Sequence, residues 1–392
     1  MSNFDETIDR RGTGALKWER YKDSDVVPMW VADMEFETSP KIIDFIRQRL
    51  DHGILGYTQA PASTTDAVQS YLRDRHGWSI DPDWLVWIPG VVPALAIACE
   101  TAGKPDDEIL VFTPVYHPLL QLPPKKTRNR VDVPLKYTGN DSRVADNNGN
   151  NRGRWVIDFD AFEQAITKKS RILLLCSPHN PVGIIFSREE LRRLAEICKA
   201  HDITIISDEI HCDLILHPSR RHVTTAVAAE DLQNQVITLM SPSKTFNLAG
   251  ANASFAVIPD PNRRKRFSDA CLYSVPTVPT LSYTAAEAAY RYGWDWHSEL
   301  IDYLRGNLAT LKATVEATHG LWMDDTEATY LAWINTADLP VDDAFDYLLK
   351  AGVGLSPGSQ FGDSSYQRLN FACSRQQLLQ GLERVTVAIN KL

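Results

Sequence analysis

Residues 171–209 read RILLLCSPHNPVGIIFSREELRRLAEICKAHDITIISDE, and the fold follows from this stretch. Its two ends, RILLLC and ITIISDE, are apolar on both faces, as is typical of central strands in a parallel sheet. Between them, SREELRRLAEICKAH has the pattern of an amphipathic helix that begins with Ser187 and Glu190 as a capping box. Strand, helix and strand of these lengths predict a right-handed crossover unit, so we expect an α/β protein whose mainly parallel sheet is covered by helices on both faces.

Three strands of this sheet are each followed by a polar residue suited to binding. Asn180 lies in SPHNPVG after one strand, Asp208 in SDEIH at the end of the next, and Lys244 in SPSKTFNLAG after the apolar run 236–239. Ligands of such sheets collect at the carboxyl ends of the strands. We therefore expect the three residues to meet at one edge of the sheet.

The loop SPSKTFNLAG, residues 241–250, lies between two predicted buried strands. Taken alone, Lys244 is expected to be a solvated lysine in a polar turn, because an isolated motif is only a hypothesis. The polar residues upstream favour a different use. Lys244 would bind an aldehyde cofactor as a Schiff base, and Ser241, Ser243 and Thr245 would donate hydrogen bonds to a phosphate.

A second element that suits a phosphate is predicted around Gly90. The short strand 85–88 leads through Gly90 into a helix from about Val92, with Pro93 near its start. Free backbone amides and the positive end of a helix dipole then lie at the tip of a strand, where phosphates bind. Many turns of this kind contain glycine and bind nothing, so the feature gains weight only beside Lys244.

Three further side chains each have two readings. Tyr116, held between prolines in TPVYHPLL, would stack on a flat cofactor or pack on the surface. Tyr57, in the turn HGILGYT, would fill the core or an interface, or place its phenol at a polar site. Arg368 alternates with apolar residues in YQRLNFAC, so it would either form a salt bridge on a sheet face or enter a cleft between domains. Taken alone, the salt bridge is favoured, because charged residues are mostly exposed.

The composition is that of a globular protein with more than one core. At 392 residues, with 44% hydrophobic and 23% charged residues, two domains are expected. The net charge of -9 argues against nucleic acid or an anionic membrane as the main partner. The N-terminus is polar and no long apolar run follows, so we expect a cytoplasmic protein. The six cysteines are scattered and form no CxxC pair, so we expect them to be core residues.

Changes of pattern along the chain predict an N-terminal arm (1–40), a large domain (41–280) and a small domain of helices and strands (281–392). The apolar strip PMWVADMEF, residues 28–36, would lie as an extended arm over another domain or a partner subunit, or form an edge strand. Ser39 is expected to cap a helix over 39–52. The polar segment 125–154 is expected to be an exposed hairpin tip without a function.

Asn180, Asp208, Lys244 and Arg368 in this order, with Tyr116 and Gly90, resemble the fold-type I enzymes that use pyridoxal 5′-phosphate (PLP). The resemblance covers nearly the whole chain and is closest to the cystathionine β-lyase branch typified by the MalY and PatB proteins. The segments that carry it are LKW at 16–18, PMWVADMEF, LGY at 55–57, SPHNPVG, SDEIHCDL, SPSKTFN, TYLAW, SPGSQFG and RLNFACSR.

The resemblance implies a role for each of these residues. Lys244 would hold PLP as a Schiff base and then act as the base at the substrate alpha carbon. Asp208 would pair with the protonated pyridine nitrogen, Asn180 would donate to the ring hydroxyl oxygen and Tyr116 would stack on the ring. Arg368 would bind the substrate carboxylate through a bidentate pair.

The remaining assignments also follow from the resemblance. The amides of Gly90, Val91 and Val92, with Ser241 and Ser243 opposite, would hold the phosphate. His211 would also contact the cofactor, and Trp30 and Tyr330 would lie near the distal half of the substrate. Tyr57 would reach the phosphate of a neighbouring subunit, so the resemblance also implies a homodimer.

The implied reaction is the cleavage of L-cystathionine or a related cysteine conjugate to a thiol, pyruvate and ammonia, with no metal. An aminotransferase of the same fold and a binding protein that has lost turnover are the alternatives. One departure bears on the choice: aminotransferases of this fold usually carry a phosphate-binding arginine eight residues after the lysine, and Asn252 stands there. Because the lyase branch often lacks that arginine too, the departure favours the lyase.

Overall fold

The computed structural model describes residues 2–139 and 153–392. The first elements of this part of the chain are α1 (Leu16–Glu19), β1 (Val27–Pro28), α2 (Pro40–Asp51), α3 (Ala62–His76), β2 (Leu85–Ile88), α4 (Val91–Ala102), β3 (Glu108–Thr113), α5 (His117–Lys125), β4 (Asn129–Pro134), β5 (Lys136–Tyr137), β6 (Trp155–Val156) and α6 (Phe159–Ala165). Next come β7 (Ser170–Cys176), α7 (Arg188–Ala200), β8 (Thr204–Asp208), α8 (Thr225–Ala228), β9 (Val236–Met240), β10 (Ser254–Val257) and α9 (Pro261–Cys271). The last elements are α10 (Thr280–Tyr292), α11 (Trp294–Ala317), β11 (Trp322–Met323), β12 (Leu331–Asn335), α12 (Ala344–Lys350), β13 (Val353–Gly354), β14 (Ser356–Pro357), β15 (Tyr366–Asn370) and α13 (Arg375–Ile389).

The central sheet has seven strands in the order β2-β10-β9-β8-β7-β3-β4. The strands from β9 to β4 are parallel neighbours, and β10 is antiparallel to both β9 and β2. The exception has a simple cause: the chain returns from β9 to β10 through the loop that contains Lys244 and not through a crossover helix. The predicted α/β fold with a mainly parallel sheet is confirmed.

The crossover unit predicted from residues 171–209 is confirmed as β7, α7 and β8. Ile172 of β7 pairs with Thr204 of β8 in parallel register. Helix α7 begins with the expected capping box: the Glu190 amide donates to Ser187 Oγ at 3.1 Å, and the Ser187 amide donates to Glu190 Oε2 at 2.7 Å. Asp208 and the loop of Asn180 therefore leave neighbouring strands at the same edge.

Apolar side chains cover both faces of the sheet. On one face, α4 and α9 pack in a cluster that includes Leu95, Leu174 and Phe267. The other face meets α3, α7 and α10 in a larger cluster that continues into the C-terminal part of the chain. Burial on both faces explains why β7, β8 and β9 read as continuous apolar runs.

The C-terminal part contains a four-stranded antiparallel sheet in the order β11-β12-β15-β14, flanked by α11 and α13. The N-terminal arm reaches this part through β1, in which Val27 pairs with Val353 in parallel register. Helix α10, placed by sequence at the start of the small domain, packs against α2 and α3. The division at residues 40 and 280 stays a prediction.

Most of the apolar strip 28–36 is an extended arm and not a strand, since β1 ends at Pro28. A buried ionic network holds it. The Lys17 ammonium lies 2.7 Å from Glu35 Oε1 and 3.2 Å from Asp33 Oδ1, and Arg10 pairs with the same two carboxylates at 3.0 and 2.9 Å. The Trp18 indole also donates to Glu35 at 2.9 Å, so the LKW segment fixes the arm.

One local prediction is wrong and a second is wrong in part. Ser39 precedes α2, but its side chain makes no capping hydrogen bond. The segment 125–154 is only partly a hairpin, because Asn129–Pro134 form β4 at the edge of the main sheet. Strands β5 and β6 pair antiparallel on either side of the expected tip, and residues 140–152 of that tip lie outside the described residues.

The cysteines are free thiols and five of the six are buried, as expected for core residues. In residues 2–139 and 153–392, no helix has the length and apolar character needed to cross a membrane.

Candidate active site

A cavity of about 390 Å³ opens at the carboxyl ends of β7, β8 and β9. Residues from the arm, the start of α4, the Lys244 loop and β15 surround it, so the site draws on elements across the whole chain. The residues predicted for the site that line it are Trp30, Gly90, Val91, Val92, Tyr116, Asn180, Asp208, His211, Ser241, Ser243, Lys244 and Arg368.

Lys244 is buried at this cavity. Burial lowers the pKa of its amine to about 8, although the carboxylates of Asp33 and Asp208 act in the opposite direction. The Lys244 amine donates to the carbonyl oxygen of Ala32 at 2.5 Å. A large part of this amine is therefore neutral and nucleophilic near pH 8.

Asp208 is buried at the end of β8, where its Oδ1 accepts from the Ile210 amide at 3.2 Å. Burial raises the pKa of Asp208 to about 7, although the Ile210 amide and the charge of Lys244 act in the opposite direction. The same burial, with the nearby charges of Lys244 and Arg368, lowers the pKa of His211 to about 3. The cavity thus holds a carboxylate that would gain from a cationic partner beside a neutral imidazole.

Arg368 is buried on β15 and makes no salt bridge within the described residues, so the simpler expectation of an ion pair on a sheet face is wrong. Its guanidinium donates to Asn180 Oδ1 at 3.1 Å and to the carbonyl oxygen of Trp30 at 2.9 Å. The guanidinium carbon lies 4.6 Å from the centre of the Phe361 ring. Burial lowers the pKa of Arg368 to about 10, and its Nε has no hydrogen-bond partner in the described chain. A buried guanidinium without a carboxylate partner in the described residues is suited to a carboxylate from a ligand.

The start of α4 and the Lys244 loop form the part of the cavity that suits a phosphate. Gly90 precedes the helix with φ +116°, a conformation that favours glycine, and the first amides of α4 have no partner within the helix. Opposite them, Ser241 Oγ donates to the carbonyl oxygen of Ala253 at 2.6 Å and accepts from the Ser243 amide at 3.1 Å. Asn252, in left-handed conformation at φ +50°, also lines the cavity.

The segment 30–36, which we call the strap, lines the site with Trp30, Val31 and Ala32, and its carbonyl oxygens accept hydrogen bonds from the elements around the site. Arg368 donates to the first of them and Lys244 to the third. The Asn370 amide bridges the carbonyls of Val31 and Asp33, at 2.7 Å each, and the Asn247 amide donates to Phe36 at 2.7 Å and to Met34 at 3.2 Å. Backbone oxygens of the arm therefore connect the lysine loop with β15.

Three predicted residues lie elsewhere. Tyr330 is buried behind the strap, where its hydroxyl donates to the Ala32 carbonyl at 3.0 Å, and it is not among the residues that line the cavity. Thr245 is also buried outside the cavity, and its hydroxyl donates to Asp213 Oδ2 at 3.2 Å. Tyr57 is fully exposed in the turn after α2. Contact of Tyr57 with a neighbouring subunit stays a prediction.

The cavity also contains residues that were not predicted. His117, Gln360 and Phe361 line it beside Tyr116, and the ring centres of Tyr116 and His117 are 4.9 Å apart. Burial lowers the pKa of His117, which favours the neutral form of its imidazole. Two features of the sequence could have indicated these residues. His117 directly follows Tyr116, and Gln360 and Phe361 lie in the glycine-rich loop SPGSQFG.

These residues fit PLP. A buried amine with a lowered pKa suits an aldehyde, and a buried carboxylate with a raised pKa suits a protonated ring nitrogen. The free amides at the start of α4 suit the phosphate, and an arginine without an acidic partner in the described chain suits the carboxylate of an amino acid.

The fold and this cavity together define a fold-type I PLP-dependent protein. Residues 24–385 match the model of the aminotransferase class I and II family, and the chain belongs to that family. It is 36% identical over 400 residues to cystathionine beta-lyase PatB of Bacillus subtilis (strain 168), covering 99% of this chain and 100% of PatB.

Two solved structures are similar over the full length. OvoB superposes with a TM-score of 0.93 at 38% identity, covering 100% of both chains. The PLP-bound C-S lyase from Staphylococcus hominis gives a TM-score of 0.90 at 32% identity, covering 99% of this chain and 98% of the lyase.

Proposed function

We propose that the protein is a PLP-dependent carbon–sulfur β-lyase that cleaves L-cystathionine or a related cysteine S-conjugate. With L-cystathionine and one water, the products are homocysteine, pyruvate and ammonia. The observation that carries the proposal is Arg368, buried and without a carboxylate partner in the described chain, in the same cavity as the buried Lys244. A cationic group for the substrate carboxylate and a base for the alpha proton then lie in one enclosed site.

When bound, PLP supplies an aldehyde for the substrate amine and an electron-poor ring that accepts the electron pair left by the alpha proton. Arg368 binds the carboxylate of the substrate and orients the bond between the alpha carbon and its proton. Lys244 Nζ accepts that proton, since burial keeps much of this amine neutral near pH 8. The Ala32 carbonyl holds Nζ at a fixed position on the strap.

Two further groups of the chain would support the bound cofactor. The buried Asp208 carboxylate would pair with the proton on the ring nitrogen, and this pairing would offset the cost of burying the carboxylate. Tyr116, which lines the same cavity, would cover one face of the ring and exclude water. The electron pair left by the alpha proton would form a double bond between the alpha and beta carbons while the pair of the carbon–sulfur bond leaves with the thiolate. One water would then convert the remainder of the substrate to pyruvate and ammonia.

The alternative is an aminotransferase of the same family. Similarity to lyases supports the β-lyase, and Asn252 in place of the phosphate-binding arginine agrees with that choice. An aminotransferase would pass the amine to a keto acid and give no pyruvate from cystathionine alone.

The experiment is incubation of the PLP-loaded protein with L-cystathionine alone, with pyruvate and free thiol measured together. Equal amounts of both products, lost in Lys244→Ala, are expected; loss of one general base alone reduces rates roughly 100- to 10,000-fold. No pyruvate, but a keto acid once an amino acceptor is added, would assign the protein to the aminotransferases.

We also propose a cytoplasmic homodimer in which the exposed Tyr57 reaches the phosphate of the neighbouring site. The support is a large exposed aromatic side chain, next to the exposed Leu55, in a turn that a single chain leaves uncovered. Sedimentation should give a dimer, and Tyr57→Ala should weaken PLP binding. Unchanged PLP binding by Tyr57→Ala would remove this residue from the cofactor site.

A further inference from the structure

A second cavity of about 390 Å³ lies between the end of α3, the segment 212–222 and the first turns of α11. Its wall is strongly basic, although the protein as a whole carries a net charge of -9. The charged and imidazole side chains of the wall include four arginines and four histidines against two aspartates.

Ion pairs in the wall neutralise only some of its arginines. Arg305 pairs with Asp302 at 2.9 Å, and Arg220 pairs with Glu327 at 3.3 Å. Within the described residues, Arg75 and Arg221 have no carboxylate partner. The Arg75 guanidinium carbon lies 3.8 Å from the centre of the Trp294 ring, and this stacking holds the side chain in place.

The floor of the cavity also favours an anion. His76 has a side chain that is 4% exposed; its Nε2 lies 2.8 Å from the Tyr71 hydroxyl and 3.6 Å from Asp213 Oδ1, and its Nδ1 has no hydrogen-bond partner in the described chain. Asp213 is already engaged, because the Tyr71 hydroxyl donates to its Oδ2 at 2.8 Å. Asp213 is thus held at the floor by Tyr71 and His76, and Arg75 and Arg221 remain the arginines of the wall without a carboxylate partner in the described residues.

A metal ion is the other reading of this floor, since ligand atoms of His76, Cys212 and Asp213 lie within 4.8 Å of one another. The same atoms are hydrogen-bonded to Tyr71, which lies 3.3 Å from Cys212 Sγ. Guanidinium groups around the opening would repel a cation. The charges thus favour an anionic ligand over a metal.

We propose that this cavity binds a small metabolite with two or more phosphate or carboxylate groups. Arginine side chains bind both groups through bidentate pairs, and the volume exceeds what one inorganic phosphate would fill. Cys212 and Asp213 line this cavity while Asp208 and His211, a few residues earlier, line the first. Occupation of the second cavity is therefore expected to alter the environment of Asp208.

The test is isothermal titration of the PLP-loaded protein with pyrophosphate and, separately, with citrate. The loaded form is used because PLP then fills the phosphate-binding part of the first cavity, and the cofactor absorbance checks that it stays bound. We expect saturable binding of at least one probe with a Kd below about 1 mM. Preference for pyrophosphate would identify a phosphate ligand, and preference for citrate a carboxylate ligand.

Arg75→Gln with Arg221→Gln should weaken that binding about tenfold or more, because two charge-assisted contacts are lost. Arg73→Gln is the matched control: Arg73 is on the same helix, pairs with Asp74 at 2.8 Å and does not line this cavity. Both arginines of the double variant are exposed, so it should fold, and single replacements serve if it does not. Absence of binding, or equal binding by wild type and the double variant, would overturn the proposal whether or not the protein is a lyase.

Discussion

The Lys244 amine and the Ala32 carbonyl oxygen lie 2.5 Å apart, although 212 residues separate them in sequence. The amine that is expected to react is thus held by the backbone of the arm and not by an acidic side chain. Its lowered pKa of about 8 has burial as the main cause, with Asp33 acting against it. This arrangement has a measurable consequence for the reaction of the chain with its cofactor.

The rate at which the PLP-free protein takes up PLP should rise with pH around a midpoint near 8 and not near 10.5. Only the neutral amine attacks the aldehyde, so the rate follows the deprotonated fraction of Lys244. The change in absorbance after mixing measures this rate, with free lysine as the reference. In Asp33→Asn the midpoint should fall, because a carboxylate that raises this pKa is removed; a midpoint near 10.5 in wild type would contradict the burial argument.

Replacement of Arg368 by methionine should reduce kcat/KM about 100-fold or more, since a buried charged pair contributes about 2–5 kcal/mol. The stability of the PLP-free variant should be unchanged or higher, because wild type buries this cation without a carboxylate partner in the described chain. Kinetics and thermal unfolding measure the two effects. Arg384→Met, which removes a surface pair with Asp25, is the control and should leave kcat/KM unaltered. A marked loss of stability in Arg368→Met would show that the arginine is mainly structural.

Asp208→Asn should stabilise the PLP-free protein at neutral pH and impair the loaded enzyme. The pKa of Asp208 is about 7 in the folded protein, whereas its ordinary value is 3.8. Protonated Asp208 therefore contributes its full stabilisation of the fold below pH 3.8, and this stabilisation is lost as the pH rises through 7. The difference in unfolding temperature between variant and wild type should therefore grow over that range. Activity should fall on the order of 100-fold, because the partner of the ring nitrogen loses its charge. A difference independent of pH would mean that Asp208 does not titrate as described.

Asn252→Asp should weaken PLP binding about tenfold or more, equal to about 1.4 kcal/mol. The substitution keeps the shape and tolerates the left-handed backbone at φ +50°, but it adds a negative charge to the part of the cavity proposed for the phosphate. Equilibrium dialysis of PLP measures the effect. Asn129→Asp, at an exposed site on β4, is the control. Equal affinity of Asn252→Asp and wild type would place the phosphate away from residue 252.

Much of this architecture was predictable because it depends on local patterns. Continuous apolar runs indicated β7 and β8, and the spacing of Ser187 and Glu190 indicated the start of α7. Parallel strands bring their carboxyl ends together, so Asn180, Asp208 and the Lys244 loop converge without further information.

The parts that escaped prediction depend on contacts between distant segments. Every residue carries a backbone carbonyl, so the sequence did not distinguish those of the strap. It therefore did not indicate that Lys244 or Asn370 would donate hydrogen bonds to them. Read from its strand alone, Arg368 favoured a salt bridge; the family resemblance implied a substrate-binding role, and its burial beside Asn180 without a carboxylate partner in the described residues agrees with that role. The second cavity combines α3, the segment after β8 and α11, whose charges look like solvated surface when read in order.

The contacts of the strap also bear on how the protein is made. Trp30 and Val31 leave the ribosome early, but their partners Arg368 and Asn370 follow 338 and 339 residues later. The contacts that join the strap to β15 therefore form only when almost the whole chain has been synthesised, whereas β7, α7 and β8 are able to assemble from neighbouring sequence. A nascent chain that stops before β15 would contain the lysine, the aspartate and all seven strands of the central sheet, yet it would lack a completed site and would not act on substrate prematurely.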